Sequence, residues 1–190
     1  MIPPRLLLAA YRLGAFPMAL GRDGPVAWFT ADPRAILPIE GFYVPRRLAR
    51  FLRRAPFRYT VDRCFAAVIE GCADREETWI SDEMIASYTE LHRLGYAHSV
   101  EVWQEEELIG GLYGVHLGAA FFAESMFHRV SNASKAALVH LVERLRARRF
   151  MLLDIQEVTP ATEPFRPLLV TRAEYLARLE VALRHERPFD

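Results

Sequence analysis

Cysteine is scarce in this chain of 190 residues: only Cys64 and Cys72 occur. Their spacing puts them on one helical face, too far apart along it for a bridge. We read them as small apolar core residues of a protein kept in a reducing compartment. There is no Cys-x-x-Cys pair and no metal-ligand spacing, so no metal is expected. Long apolar runs are missing too. None approaches the roughly 18 residues of a membrane span. The apolar start is interrupted by Pro3, Pro4, Arg12 and Pro17, which argues against a signal peptide. A soluble, cytoplasmic protein is expected. Repeats, linkers and low-complexity segments are absent, and with them any sign of a disordered chain. Lysine is nearly missing: Lys135 stands alone, and arginine supplies the rest of the 24 basic residues.

What is present is apolar and balanced. Hydrophobic residues make up 52% and charged residues 25%, with a formal net charge of +0. That suffices for one packed domain with a small appended lobe. Arginine clusters locally, at Arg46, Arg47, Arg50, Arg53, Arg54 and Arg58, and again at Arg144, Arg146, Arg148 and Arg149. Each cluster reads either as a solvated helix face or as a track for nucleic-acid phosphates, which the planar guanidinium suits. A net charge of zero does not choose between them.

The periodicity predicts a helix from Pro4 to Gly14, an extended Phe16-Pro17-Met18 segment and a strand at Val26–Phe29. The stretch around Pro38 and Gly41 reads as irregular, and Pro45–Arg54 as a basic helix. A strand follows at Phe57–Val61. Asp62 is expected to cap a helix reaching Ala73, and Ser81 the next, which stops at Gly95. Ser99–Trp103, Leu108–His116 and Ala119–Met126 read as an antiparallel meander. A helix from Asn132 to Arg148, a buried strand at Phe150–Ile155 and a Thr171/Glu174-capped helix to Arg184 complete the chain. This order predicts an α+β fold, an acetyltransferase-like (GNAT-type) mixed sheet flanked by helices. Residues 1–56 are expected to form a small N-terminal lobe and 57–190 the larger domain.

An ordered series of segments carries a family resemblance. It begins with Tyr11-Arg12-x-Gly14-x-Phe16-Pro17 and Asp32-Pro33-Arg34, and continues with Thr78-Trp79-Ile80 and Leu91-His92-Arg93-Leu94-Gly95. Ala97-His98-Ser99-Val100-Glu101-Val102-Trp103 and Gly110-Gly111-Leu112-Tyr113-Gly114-Val115 follow. Glu124-Ser125-Met126-Phe127, Ala133-Ser134-Lys135 and Leu153-Asp154-Ile155-Gln156 close it. Over nearly its whole length the chain resembles the bacterial leucyl/phenylalanyl-tRNA–protein transferases. The resemblance implies an aminoacyltransferase that takes leucine, phenylalanine or methionine from a charged tRNA. The acceptor would be a protein beginning with arginine or lysine, marked thereby for degradation. No cofactor is implied, and a monomer is expected.

The resemblance makes Asp154, Gln156 and Glu124 the catalytic residues. The ester is already activated, so the chemistry needed is to position an amine and relieve it of a proton. On a strand Asp154 and Gln156 share a face. Gln156 is expected to accept from the attacking amine, with Asp154 polarising it. Glu124, on an otherwise apolar strand, needs a partner or a cavity. Leu112 and Phe121 would line a pocket for apolar side chains. Trp79 would stack near the terminal adenosine, with Met18 standing where the family has a tryptophan. His98 is expected to make a structural hydrogen bond, and no Ser-His-Asp set can be assembled from the spacing.

Two further departures bear on activity. Ala123 replaces a glycine before Glu124, and Ala161–Pro167 replaces the family's His-x-x-Ser-x-Gly-Ala segment. A catalytically altered or inactive tRNA-binding relative, and the same chemistry with another acceptor, therefore stay open as alternatives. A coenzyme A-dependent acetyltransferase is disfavoured, because the helix opening Val130-Ser131-Asn132-Ala133-Ser134-Lys135 has no glycine turn to hold a pyrophosphate.

Overall fold

The computed structural model describes residues 1–189. The chain runs α1 (Pro4–Arg12), β1 (Phe16–Ala19), β2 (Val26–Phe29), β3 (Arg34–Leu37), α2 (Arg46–Leu52) and β4 (Phe57–Val61). It continues with α3 (Phe65–Ala73), α4 (Asp82–Arg93), β5 (Ala97–Gln104), β6 (Glu107–Leu117), β7 (Ala120–His128) and α5 (Ala133–Ala147). β8 (Leu152–Gln156), a 3-10 turn (Glu163–Phe165), β9 (Leu168–Val170) and α6 (Arg172–Leu183) end it. The expected α+β class with a mixed sheet is what forms. One sheet has seven strands in the order β4-β5-β6-β7-β8-β3-β9, and β1 and β2 make a separate hairpin.

Every pairing in the large sheet is antiparallel except that of β7 with β8. A parallel pair needs a crossover, and α5 supplies it. Its Leu138, Leu141, Val142 and Leu145 bury against one sheet face, with Leu48 of α2 and Phe165 in the same core. The other face carries a second core from α1, α3, α4 and α6, including Tyr11, Val68, Tyr88 and Tyr175. Each fully buried leucine of α5 contributes about 1.5–3 kcal/mol of transfer free energy.

Several sequence expectations hold at the level of single caps. Ser81 Oγ accepts from Met84 N, and Thr171 Oγ1 accepts from Glu174 N. Gly95 takes φ +80°, the left-handed backbone that ends α4. Others do not hold. Cys64, not Asp62, caps α3. Asp62 instead turns its carboxylate to β5, 2.6 Å from His98 Nδ1 and 2.8 Å from the amide of Ser99, which gives His98 the structural bond expected of it. Residues 34–37, which no periodicity marked, are an inner strand between β8 and β9. β3, from within residues 1–56, is therefore built into the large sheet. A four-residue strand buried on both faces shows no alternation to read.

Candidate active site

Strands β7 and β8 pair only as far as Phe122 and Asp154. Beyond that point they part, and a cavity of about 550 Å³ opens between them. That is the size of a small-ligand site. Leu112, Leu138 and Ile155 form an apolar floor, Glu124 and Gln156 reach in from the parted strands, and Trp79 and Arg75 stand at the side. Four consecutive loop residues, Thr159 to Thr162, close another wall. Thr159 N donates to Thr162 Oγ1 at 2.9 Å and Thr162 N to the Thr159 carbonyl at 3.0 Å, so this wall is internally tied.

Glu124 owes its position to a break in register. Ser125 pairs with Tyr113 and Ala123 with Gly114, which leaves Glu124 as the extra residue of a β-bulge. Gly114 permits the close approach: a Cβ there would lie 2.3 Å from the Phe122 carbonyl oxygen. Tyr88 Oη donates to Glu124 Oε2 at 3.0 Å, and the Tyr11 hydroxyl lies 2.6 Å from that of Tyr88. Glu124 is half-buried, with its open edge on the cavity. Burial pushes its carboxyl up to about 7, against hydrogen bonding from Tyr11 and Tyr88, which favours the charged form. The arginine ion pair that could have explained an acid on this strand is not made.

Gln156 ends β8 at φ +57°. Glu157 N reaches the Ile155 carbonyl at 2.6 Å, closing a three-residue γ-turn around it. Such a backbone costs of order 1–3 kcal/mol and persists only where surroundings hold it. Here Asp154 Oδ1 holds it, accepting from Gln156 N at 2.9 Å. The carboxamide donates through Nε2 to Glu124 Oε1 at 3.2 Å, which leaves its oxygen as the acceptor for a ligand.

Asp154 is wholly buried and fully engaged. It accepts from Arg34 Nε at 2.9 Å and NH2 at 2.7 Å, and from Tyr175 Oη at 2.6 Å, besides Gln156 N. The expected polarising contact with the Gln156 carboxamide is not formed. Asp154 supports Gln156 through its backbone and sits behind the cavity.

Glu124, Gln156, Leu112 and Trp79 thus line one cavity, and Asp154 does not. Phe121 does not line the cavity. It lies in the core below, its ring 5.1 Å from that of Phe189. Met18 is half-buried in the β1–β2 hairpin opposite Ala27 and is not on the cavity wall either. Its neighbour Ala19 donates to the Trp79 carbonyl at 3.0 Å, which ties the hairpin to the mouth of the site.

Other contributors went unassigned in the sequence. Tyr11 and Arg34 lay inside matched segments, and Arg34, a charge heading an apolar run, was the signal that a buried acid must face it. Tyr88 was hidden in an apolar helix stripe. Arg75, whose NH2 donates to Ser125 Oγ at 3.2 Å, gave no signal.

The two arginine clusters part ways. In the second, Arg146 donates to the Ile39 carbonyl and Arg144 to that of Phe189, so these charges staple the fold. Arg46, Arg47, Arg50, Arg53 and Arg54 are exposed, and their guanidinium groups have no ion pair or hydrogen bond among the described residues. Arg47, Arg50, Arg54 and Phe57 border a shallow groove.

The α+β sheet thus holds, where two parallel strands part, an apolar hollow edged by a carboxylate and a carboxamide. The chain belongs to the leucyl/phenylalanyl-tRNA protein transferase family: residues 36–180 match that family and residues 1–32 its N-terminal domain. It is 55% identical to the leucyl/phenylalanyl-tRNA–protein transferase of Salinibacter ruber, over 96% of this chain and 80% of that one. It is 51% identical to that of Ruegeria pomeroyi, over 99% of this chain and 90% of the relative. Among solved structures it is similar to a ribosomal-protein-alanine N-acetyltransferase from Brucella melitensis biovar Abortus. That likeness has a TM-score of 0.43 at 12% identity, over 58% of this chain and 86% of the other.

Proposed function

We propose that the protein moves leucine, phenylalanine or methionine from a charged tRNA to the N-terminal amine of a protein beginning with arginine or lysine, marking it for degradation. The observation that carries this is the placement of the Gln156 carboxamide and Glu124 at the rim of an apolar floor. The aminoacyl side chain fits against Leu112, Leu138 and Ile155, a surface suited to leucine and phenylalanine alike. Trp79 lies beside the terminal adenosine. The Gln156 oxygen accepts from the entering amine and aims its lone pair at the ester carbonyl.

The amine arrives largely as an ammonium, since an α-amino group titrates near 7.7–8.0, roughly. Glu124, at about 7, is close enough in affinity to take that proton. The C–N bond then forms, the ester C–O bond breaks, and the ribose oxygen leaves with the proton that the nitrogen sheds on becoming an amide. The exposed arginines of α2 suit the tRNA phosphates. We place the protein in the cytoplasm, acting as a monomer.

The test is transfer of labelled leucine, phenylalanine or methionine from tRNA to a panel of peptides. Transfer confined to peptides beginning with arginine or lysine supports the reading. The altered 161–167 loop favours a second one, in which the same chemistry serves another acceptor, and transfer to acidic N-termini would establish it. Binding of charged tRNA without any transfer overturns both.

A further inference from the structure

Tyr113 is wholly buried, and its hydroxyl has no hydrogen-bond partner among the described residues. An unpartnered buried hydroxyl costs about 1–3 kcal/mol, and phenylalanine would fill the same space without that cost. Nothing in the packing of the ring requires the oxygen. The ring meets Tyr88 edge-on at 5.3 Å and Phe65 at 5.8 Å, contacts a phenylalanine would make equally.

The surroundings point to what the hydroxyl serves. Tyr113 and Gly114 flank the point in β6 opposite which Glu124 bulges out of β7. Tyr88 touches both residues, with its ring against Tyr113 and its hydroxyl on the Glu124 carboxylate. Tyr113 and Glu124 therefore lie on one face of the sheet, side by side. The charge of Glu124 adds to burial in raising the Tyr113 hydroxyl. Facing Glu124 are Tyr11 from α1, Tyr88 from α4, Asp154 and Gln156 from β8, and Arg34 from β3. Burial keeps the Tyr113 hydroxyl protonated, hence a donor, across the working range.

We propose that Tyr113 is a positioning residue for Glu124, whose hydroxyl, idle in the free enzyme, donates to the Glu124 carboxylate once substrate fills the cavity. The physical reason is a change of partners. An entering amine and ester displace the water at the open edge of Glu124 and draw on the Gln156 carboxamide that now bonds it. A carboxylate losing solvent and part of a donor needs a replacement, and Tyr113 is the neighbouring donor with no other commitment. The inference rests on the reading that Glu124 works in the transfer step.

The experiment compares Tyr113→Phe, Glu124→Gln and the parent protein, by melting temperature and by transfer kinetics from pH 5.5 to 9. Tyr113→Phe is expected to melt at the parent temperature or above. Its KM for aminoacyl-tRNA stays unchanged while kcat at neutral pH falls roughly tenfold, the worth of one hydrogen bond to a charge. The acid limb of its kcat profile moves about one unit upward, since the charged form of Glu124 has lost a donor. Glu124→Gln is expected to abolish that limb. A parent-like profile and kcat in Tyr113→Phe, with the limb lost in Glu124→Gln, overturns the role of Tyr113 alone. A parent-like Glu124→Gln overturns both. A large drop in the melting temperature of Tyr113→Phe also overturns the proposal, because the hydroxyl would then be committed in the free protein.

Discussion

Arg34 grips Asp154 from 120 positions away in the chain, through two bonds of 2.9 and 2.7 Å with neither side chain more than 1% exposed. The same guanidinium donates to the Gly14 carbonyl at 3.0 Å and lies between the rings of Phe16 and Tyr175. One ion pair therefore joins α1's exit, β3, β8 and α6, and through the Gln156 amide it fixes the γ-turn at the site. Asp154→Asn leaves a buried cation half-paired and is expected to cost about 3–5 kcal/mol in urea unfolding. Arg34→Met combined with Asp154→Leu is expected to recover much of that stability. Lost turnover at full stability in Asp154→Asn would instead put Asp154 in contact with substrate.

Gln156→Ala is expected to lower kcat by roughly a hundredfold, since it removes an acceptor matched to the attacking amine. Its KM for aminoacyl-tRNA is expected to stay close to the parent value, because the ester is bound by the apolar floor and Trp79. Steady-state kinetics with leucyl-tRNA decide this, and an unchanged kcat would remove Gln156 from the chemistry.

Glu124 gives the protein a pH signature. Its carboxyl is raised from 4.5 to about 7, so between those values the folded protein holds more protons than the unfolded one. Stability from this group therefore falls as pH rises through that window, and the full cost is present above it. Glu124→Gln is expected to be more stable than the parent by on the order of 1–3 kcal/mol at about pH 8, with the difference gone near pH 4. Denaturant titrations at the two pH values measure it, and equal stability differences at both would contradict the raised carboxyl.

Leu112→Phe narrows the floor of the cavity. Discrimination by an apolar pocket amounts to about 1–3 kcal/mol per methylene-sized change. Phenylalanine transfer is therefore expected to fall at least tenfold more than leucine transfer, in competition assays with both charged tRNAs. A uniform loss would mean the aminoacyl side chain sits elsewhere.

Arg47→Ala, Arg50→Ala and Arg54→Ala together are expected to weaken binding of any tRNA. They should flatten the slope of log K against log salt by roughly one for each phosphate no longer neutralised. Arg146→Ala, whose guanidinium holds the Ile39 carbonyl, is expected to lower stability and leave that slope unchanged. Binding isotherms across salt concentrations separate the two.

Local rules were enough for much of this molecule. Ser81 and Thr171 cap their helices because a hydroxyl three residues before an amide is a local matter, and the β5–β6–β7 meander was legible because only short turns separate its strands. The ordered segments from Tyr11 to Gln156 were likewise enough for the family, because each is read residue by residue. What only the tertiary structure decided are the relationships that depend on register and on distance along the chain. Glu124 enters the cavity through a bulge that no pattern in β7 announces. Phe121 leaves it because the strand turns that side chain into the α5 core. Asp154 is engaged by Arg34, which arrives from a strand too short and too buried to be seen in the sequence. A sequence determines which groups exist and their local preferences, whereas partners of a buried charge are set by desolvation, which only the assembled fold defines.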